Sequence, residues 1–131
     1  MKEAQRRRLA GLLAGLLLAL FLAEGLAFIS ASSQTSDEAV HLTAGYSYLA
    51  RRDFRLNPEH PPFIKEISAL PVALIYRIPF QPDPNLWDRA EEWRIGQDFL
   101  YRSPVEGDRI LAAGRIPNLL LGVSLVGLAG W

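Results

Sequence analysis

The chain has no cysteine, which excludes disulfides and thiolate metal sites. It has no excess charge of either sign, with 14 Lys+Arg against 14 Asp+Glu. No basic stripe is interleaved with aromatic residues, so the electrostatic footprint of a nucleic-acid binder is missing. Internal repeats and low-complexity tracts are also lacking, apart from a Leu/Ala/Gly bias in two apolar stretches.

Long hydrophobic runs are abundant. Leu9 to Ile29 reads LAGLLAGLLLALFLAEGLAFI with one charge, Glu24. About twenty such residues at ~1.5 Å each match the roughly 30 Å hydrocarbon core of a bilayer. The preceding KEAQRRR carries four bases and one acid. By the positive-inside rule this end stays in the cytoplasm and the chain emerges outside from residue 32. A secretory signal peptide is the rival reading, since Ser30–Ser32 resembles a small-residue cleavage site. The run exceeds the usual apolar core of about 7–15 residues, which favours an uncleaved anchor. A second run, Ile110 to Trp131, includes Arg115 and Pro117. Counted from Ile110 it is just long enough to span, at about twenty residues. The expectation is a second span cut inside or just after itself; the alternative puts Trp131 in the interfacial aromatic belt.

The expected organisation is a basic N-terminus over 1–8, a first transmembrane helix over 9–30, an extracytoplasmic loop over 31–104 and a second transmembrane helix over 105–131. Within the loop, Ser36 followed by Asp37 and Glu38 is a helix start: a hydroxyl cap, then acids against the positive end of the dipole. Ala39, Leu42, Tyr46 and Leu49 recur at helical spacing and predict a helix over 37–51. The NPEHPP stretch breaks it, because each proline removes a donor and restricts its predecessor. Pro62 opens another helix at its first turn, with an apolar face from Phe63 to Ile78 suited to the membrane interface and a kink at Pro71. PFQPDPN is a connector. Trp87–Tyr101 reads as a third loop helix whose Trp87, Trp93, Phe99 and Tyr101 suit a membrane surface, and Ser103-Pro104 starts the second long helix. The loop has too little core to stand alone. The fold class is an all-α membrane protein: two transmembrane helices joined by a helical, partly interfacial loop.

Several residues can carry chemistry. Asp37 and Glu38 are an acidic first turn, or carboxylates that serve as a base or hold a substrate at the membrane surface. Glu59 and His60 are turn residues, or groups that flanking prolines hold in place at little entropic cost; both are also zinc-ligand types. Lys65, Arg109 and Arg115 either snorkel to the interface or gather around an anionic headgroup. Glu24 is a functional candidate as an intramembrane acid, or a partner for one of these cations.

The order of these elements resembles a known family. A basic N-terminus and one span lead to an Asp-Glu pair. HLTAGYSYL, DFRLNPEHPPFIKEISALP and then RIPNLLLG follow. Together they are similar to the N-terminal part of lipid-linked sugar glycosyltransferases of the protein mannosyltransferase and aminoarabinose transferase type, with the glycosyltransferase C fold. The likeness runs from Asp37 to Gly122. It implies transfer of a sugar from a polyprenyl-phosphate carrier to an extracytoplasmic acceptor, in a bacterial inner or plasma membrane. By the same resemblance Asp37 is the essential base or acceptor-orienting carboxylate and Glu38 completes the pair. Glu59 matches an acidic position that contributes to a divalent-metal site in one branch, and His60 faces the carrier phosphate. The position matching His60 is His in the mannosyltransferases and Lys in the aminoarabinose branch; because histidine is not a permanent cation, phosphate binding would rest more on Lys65 or on the arginines, Arg115 among them. Family members have about a dozen spans, so the chain is expected to need further transmembrane helices as partners, besides membrane lipid, and to be inactive alone. The competing readings are a non-enzymatic two-span scaffold and a secreted domain behind a signal peptide.

Overall fold

The structure is a computed structural model that describes residues 3–129, and those residues contain helices and no strand. The helices are α1 (Glu3–Ala31), α2 (Glu38–Arg51), α3 (Pro62–Ile75), α4 (Pro84–Asp88), α5 (Glu92–Tyr101) and α6 (Gly107–Ala129). Both α1, with 29 residues, and α6, with 23, are long and apolar enough to cross a membrane. Trp131 lies outside the described residues.

Two compact units divide the chain: residues 3–32 with 119–129, and residues 33–118. In the first, helices approach through glycine. Gly25 meets the Leu119 side chain and Gly122 meets the Phe21 ring, the small-residue contact by which apolar helices pack without a polar core.

The second unit has a core, to which the start of α6 contributes along with the loop helices. Leu42 and Tyr46 of α2, Ala69 and Val72 of α3, Phe99 and Leu100 of α5, and Ile110 and Leu111 of α6 form one cluster. Ala44, Tyr48, Leu56, Trp87 and Ile95 form another. Leu56, Leu100, Ile110 and Leu111 are fully buried, each contributing about 1.5–3 kcal/mol by its removal from water. The core is possible because α2 is buried on nearly all sides from Ala39 to Tyr48. Its Gly45 lies so close to α3 that a Cβ there would collide with the Lys65 carbonyl.

Boundaries depart from expectation where local chemistry intervenes. At the start of α2, Asp37 and not Ser36 is the cap position, without a side-chain cap bond; instead Glu38 accepts from the Thr35 amide and hydroxyl. Pro71 lies within α3, which continues to Ile75. Trp87–Tyr101 is two helices. Asp83 Oδ1 caps α4 by accepting from the Asn85 and Leu86 amides, and Ala90, at φ 51°, turns the chain before α5. Trp87 and Phe99, expected at a membrane surface, are core residues, whereas Trp93 and Tyr101 are exposed. α6 starts at Gly107, after Ser103 Oγ and Val105 have closed a local turn.

Candidate functional site

A cavity of about 460 Å³ opens within the second unit. Its wall brings together the first turns of α2, the end of NPEHPP, the start of α3 and one side of α6, through Asp37, Glu38, His41, His60, Ser68 and Asn118. The wall is more apolar than polar, with Leu42, Pro61 and Ile64 between the polar groups.

Asp37 and His41 are four residues apart on α2 and so share a face. Asp37 Oδ2 lies 3.2 Å from His41 Nε2. His41 in turn meets His60 edge to face, with ring centroids 5.0 Å apart at 83°. Asp37, His41 and His60 therefore form a continuous polar line from the helix start to the proline-braced loop. Asp37 keeps 61 % of its side chain exposed, which leaves its carboxylate accessible to a ligand in the cavity.

Glu38 stands in a different environment. Arg115 grips it with Nε on Oε1 and Nη2 on Oε2, both at 2.7 Å, and also donates to the Ser33 carbonyl at 2.8 Å. This fork-to-fork pair is nearly buried on the arginine side, at 8 % exposure. Burial alone would raise the Glu38 carboxyl, but the hydrogen bonds from Arg115 and Thr35 outweigh it and hold the group below its ordinary value. Glu38 is thus an ionised anchor between α2 and α6, and Asp37 is the carboxylate of the pair with room to act.

The expected cations divide in the same way. His60 is exposed at the cavity. Arg115 is bound to Glu38 and Ser33. Lys65 lines the cavity but is 4 % exposed, and its Nζ donates to the Asn57 carbonyl and the Tyr48 hydroxyl, neither of which lines it. Arg109 pairs with Glu106 at 3.0 Å in an exposed position. Glu59 is exposed, and its Oε2 receives a long 3.4 Å bond from Asn57 Nδ2. Among the described residues no three His, Cys, Asp or Glu side chains gather as a metal site would require, and Glu59 has no second such side chain hydrogen-bonded to it.

His41 is the site residue that sequence reasoning passed over. The signal was present: a histidine one helical turn after an aspartate at a helix start. Ser68 and Asn118 were also missed; Asn118 Nδ2 donates to Ser68 Oγ at 2.9 Å, which joins α6 to α3 across the cavity wall. Comparison of the chain with protein-family models, with curated proteins and with solved structures finds no match.

Proposed function

We propose that this chain is the donor-facing N-terminal part of an integral-membrane glycosyltransferase, which moves a sugar from a polyprenyl-phosphate carrier to an acceptor hydroxyl. In this reading α1 and α6 span the membrane, the arginines at 6–8 keep the N-terminus in the cytoplasm, and the loop over 31–104 lies on the extracytoplasmic side. One observation carries the reading: Asp37 and His60, from separate segments of the chain, share one cavity wall with His41 between them.

The chemistry follows from that line of groups. The acceptor oxygen forms a bond to the anomeric carbon as the bond from that carbon to the phosphate oxygen breaks. The acceptor proton passes to Asp37 directly or to His41 beside it, and polyprenyl phosphate leaves with its charge facing His60. Positioning and electrostatic stabilisation supply most of the rate in such a site. Further transmembrane helices complete it, and the exposed apolar residues of α3, Phe63, Leu70, Leu74 and Ile75, offer them a packing surface.

The test is binding of a short-chain polyprenyl phosphate to the chain in nanodiscs, read by the ring resonances of His41 and His60. Saturable shifts that Asp37→Asn preserves and His60→Ala removes are expected. Ring resonances indifferent to the lipid at saturating concentration would end the proposal.

The same α3 face supports a second reading, a scaffold that binds another membrane protein. Leu74→Asp would then abolish its role in cells while Asp37→Asn would leave it intact; the transferase reading requires Asp37→Asn to abolish it.

A further inference from the structure

The least expected group in the molecule is the buried lysine. Lys65 extends from the first turn of α3 into the interior. Its Nζ donates to the Asn57 carbonyl and, at 3.1 Å, to Tyr48 Oη, and it lies 5.3 Å from the Tyr48 ring centroid. Tyr48 Oη donates onward to the Leu56 carbonyl. Among the described residues no carboxylate comes within ion-pair distance of this ammonium. A buried charge held only by neutral acceptors opposes folding unless its hydrogen bonds do something an apolar side chain cannot. Burial holds the Lys65 ammonium below its ordinary value, while Glu59 and Glu92 act from a distance in the other direction.

The bonds have a common target. They secure two consecutive carbonyls, Leu56 and Asn57, at the point where the chain turns through a left-handed Asn57, φ 49°, into Pro58-Glu59-His60. Beyond His60, Pro61 and Pro62 lead directly into α3. Both ends of the short segment carrying His60 are therefore attached to Lys65, one through its ammonium and the other through the helix it begins. α2 supplies the opposing surface. His41, Gly45 and Tyr48 recur at helical spacing on one stripe of α2. His60 meets His41, the Lys65 backbone meets Gly45, and the Lys65 ammonium meets Tyr48.

We propose that Lys65 is a positioning residue: its buried ammonium, with Tyr48, clamps the Leu56–Asn57 turn to α2 and so fixes the place of His60 against His41. Lysine suits the task because it is long enough to reach the turn and donates to two acceptors from one atom. A methionine fills similar space but leaves the Asn57 carbonyl without its donor. The inference relies on the transferase reading only for the task it gives His60; the clamp itself is a matter of geometry.

The experiment measures the cross-relaxation between the ring protons of His41 and His60 in the full chain, histidine-labelled and held in nanodiscs without added lipid phosphate. Lys65→Met is expected to lose the cross-peak while circular dichroism stays helical. Tyr48→Phe, a milder change to the same clamp, is expected to weaken it and serves as the reading if Lys65→Met fails to fold. Tyr46→Phe removes a buried hydrogen bond elsewhere, to Ile78, and is expected to keep the cross-peak at full strength. An undiminished cross-peak in Tyr48→Phe, or in a folded Lys65→Met, overturns the clamp. So does its loss in Tyr46→Phe, which would mark a general loosening. Failure to bind polyprenyl phosphate with the cross-peak pattern as expected would instead count against the transferase reading alone.

Discussion

Arg115 and Glu38 are joined by two parallel hydrogen bonds of 2.7 Å, so a planar ion pair ties the start of α2 to the first half of α6. Bidentate geometry of this kind is the strongest that two charged side chains can adopt.

Removal of one partner is expected to cost more than any other single change at the cavity. Arg115→Met leaves Glu38 charged and enclosed, and Glu38→Gln takes the paired carboxylate from Arg115. Each should destabilise by about 3 kcal/mol, the usual result of breaking a buried pair from one side. Arg115→Lys restores charge but not the fork and should recover only part of this. Chemical unfolding in detergent, followed by circular dichroism, measures all three.

The same pair predicts an acid limb. The folded Glu38 value lies below its unfolded one, so the native state binds fewer protons and stability rises with pH through this window. The contribution is complete above the ordinary unfolded value of about 4.3 and disappears as pH falls through the depressed folded value. Unfolding midpoints between pH 6 and pH 3, as approximate limits set by that carboxylate range, should decline more steeply in the parent chain than in Glu38→Gln.

Gly45→Ala tests the contact between α2 and α3. Its methyl would run into the Lys65 backbone carbonyl, which cannot rotate aside as a side chain could. Overpacking of this type costs at least about 1–3 kcal/mol, and the two helices must separate to relieve it. Thermal unfolding should register the loss, with Gly11→Ala, where the space is open, as the neutral comparison.

Tyr46→Phe removes the hydroxyl that donates to the Ile78 carbonyl at 2.7 Å in the core. The carbonyl keeps no replacement, so a loss of about 1–3 kcal/mol is expected. Urea unfolding of the variant in the same detergent gives the figure.

Asp37→Asn keeps shape and hydrogen-bonding capacity but removes the charge beside His41. If the chain works as the proposed transferase and Asp37 accepts the acceptor proton, turnover should fall about 10²–10⁴-fold with little change in unfolding midpoint. Transfer of labelled sugar from its polyprenyl phosphate, assayed in membranes, separates this from a loss of folding.

The parts of the fold written in local pattern could be read without coordinates. The apolar runs of α1 and α6, the period of α2 and the proline at the head of α3 each follow from rules that act within a few residues. Pairings across the chain could not be read this way. Arg115 is 77 positions from Glu38, and nothing near either residue announces the other; the same arginine is equally at home snorkelling from a helix end. Lys65 misleads for a related reason. Its neighbours in sequence suggest an interfacial face, but Gly45 lets α3 come close enough to bury it. The break at Ala90 was hidden because alanine carries no turn signal, whereas Asp83, which caps α4, does. Asp37 and His60 were legible as candidates from their type and setting, and His41 needed only the one-turn spacing to be added.

The bare outer wall of α3 has a practical corollary. Phe63, Leu74 and Ile75 each leave 65 % of their surface uncovered, and Leu70 extends the patch along the helix. Produced without α1 and the far half of α6, residues 33–118 will not stay monomeric in plain buffer: individual copies will stick through this wall, and surfactant will disperse them. Sedimentation profiles with and without detergent would show it, and purification strategies should retain the amphiphile from lysis onward.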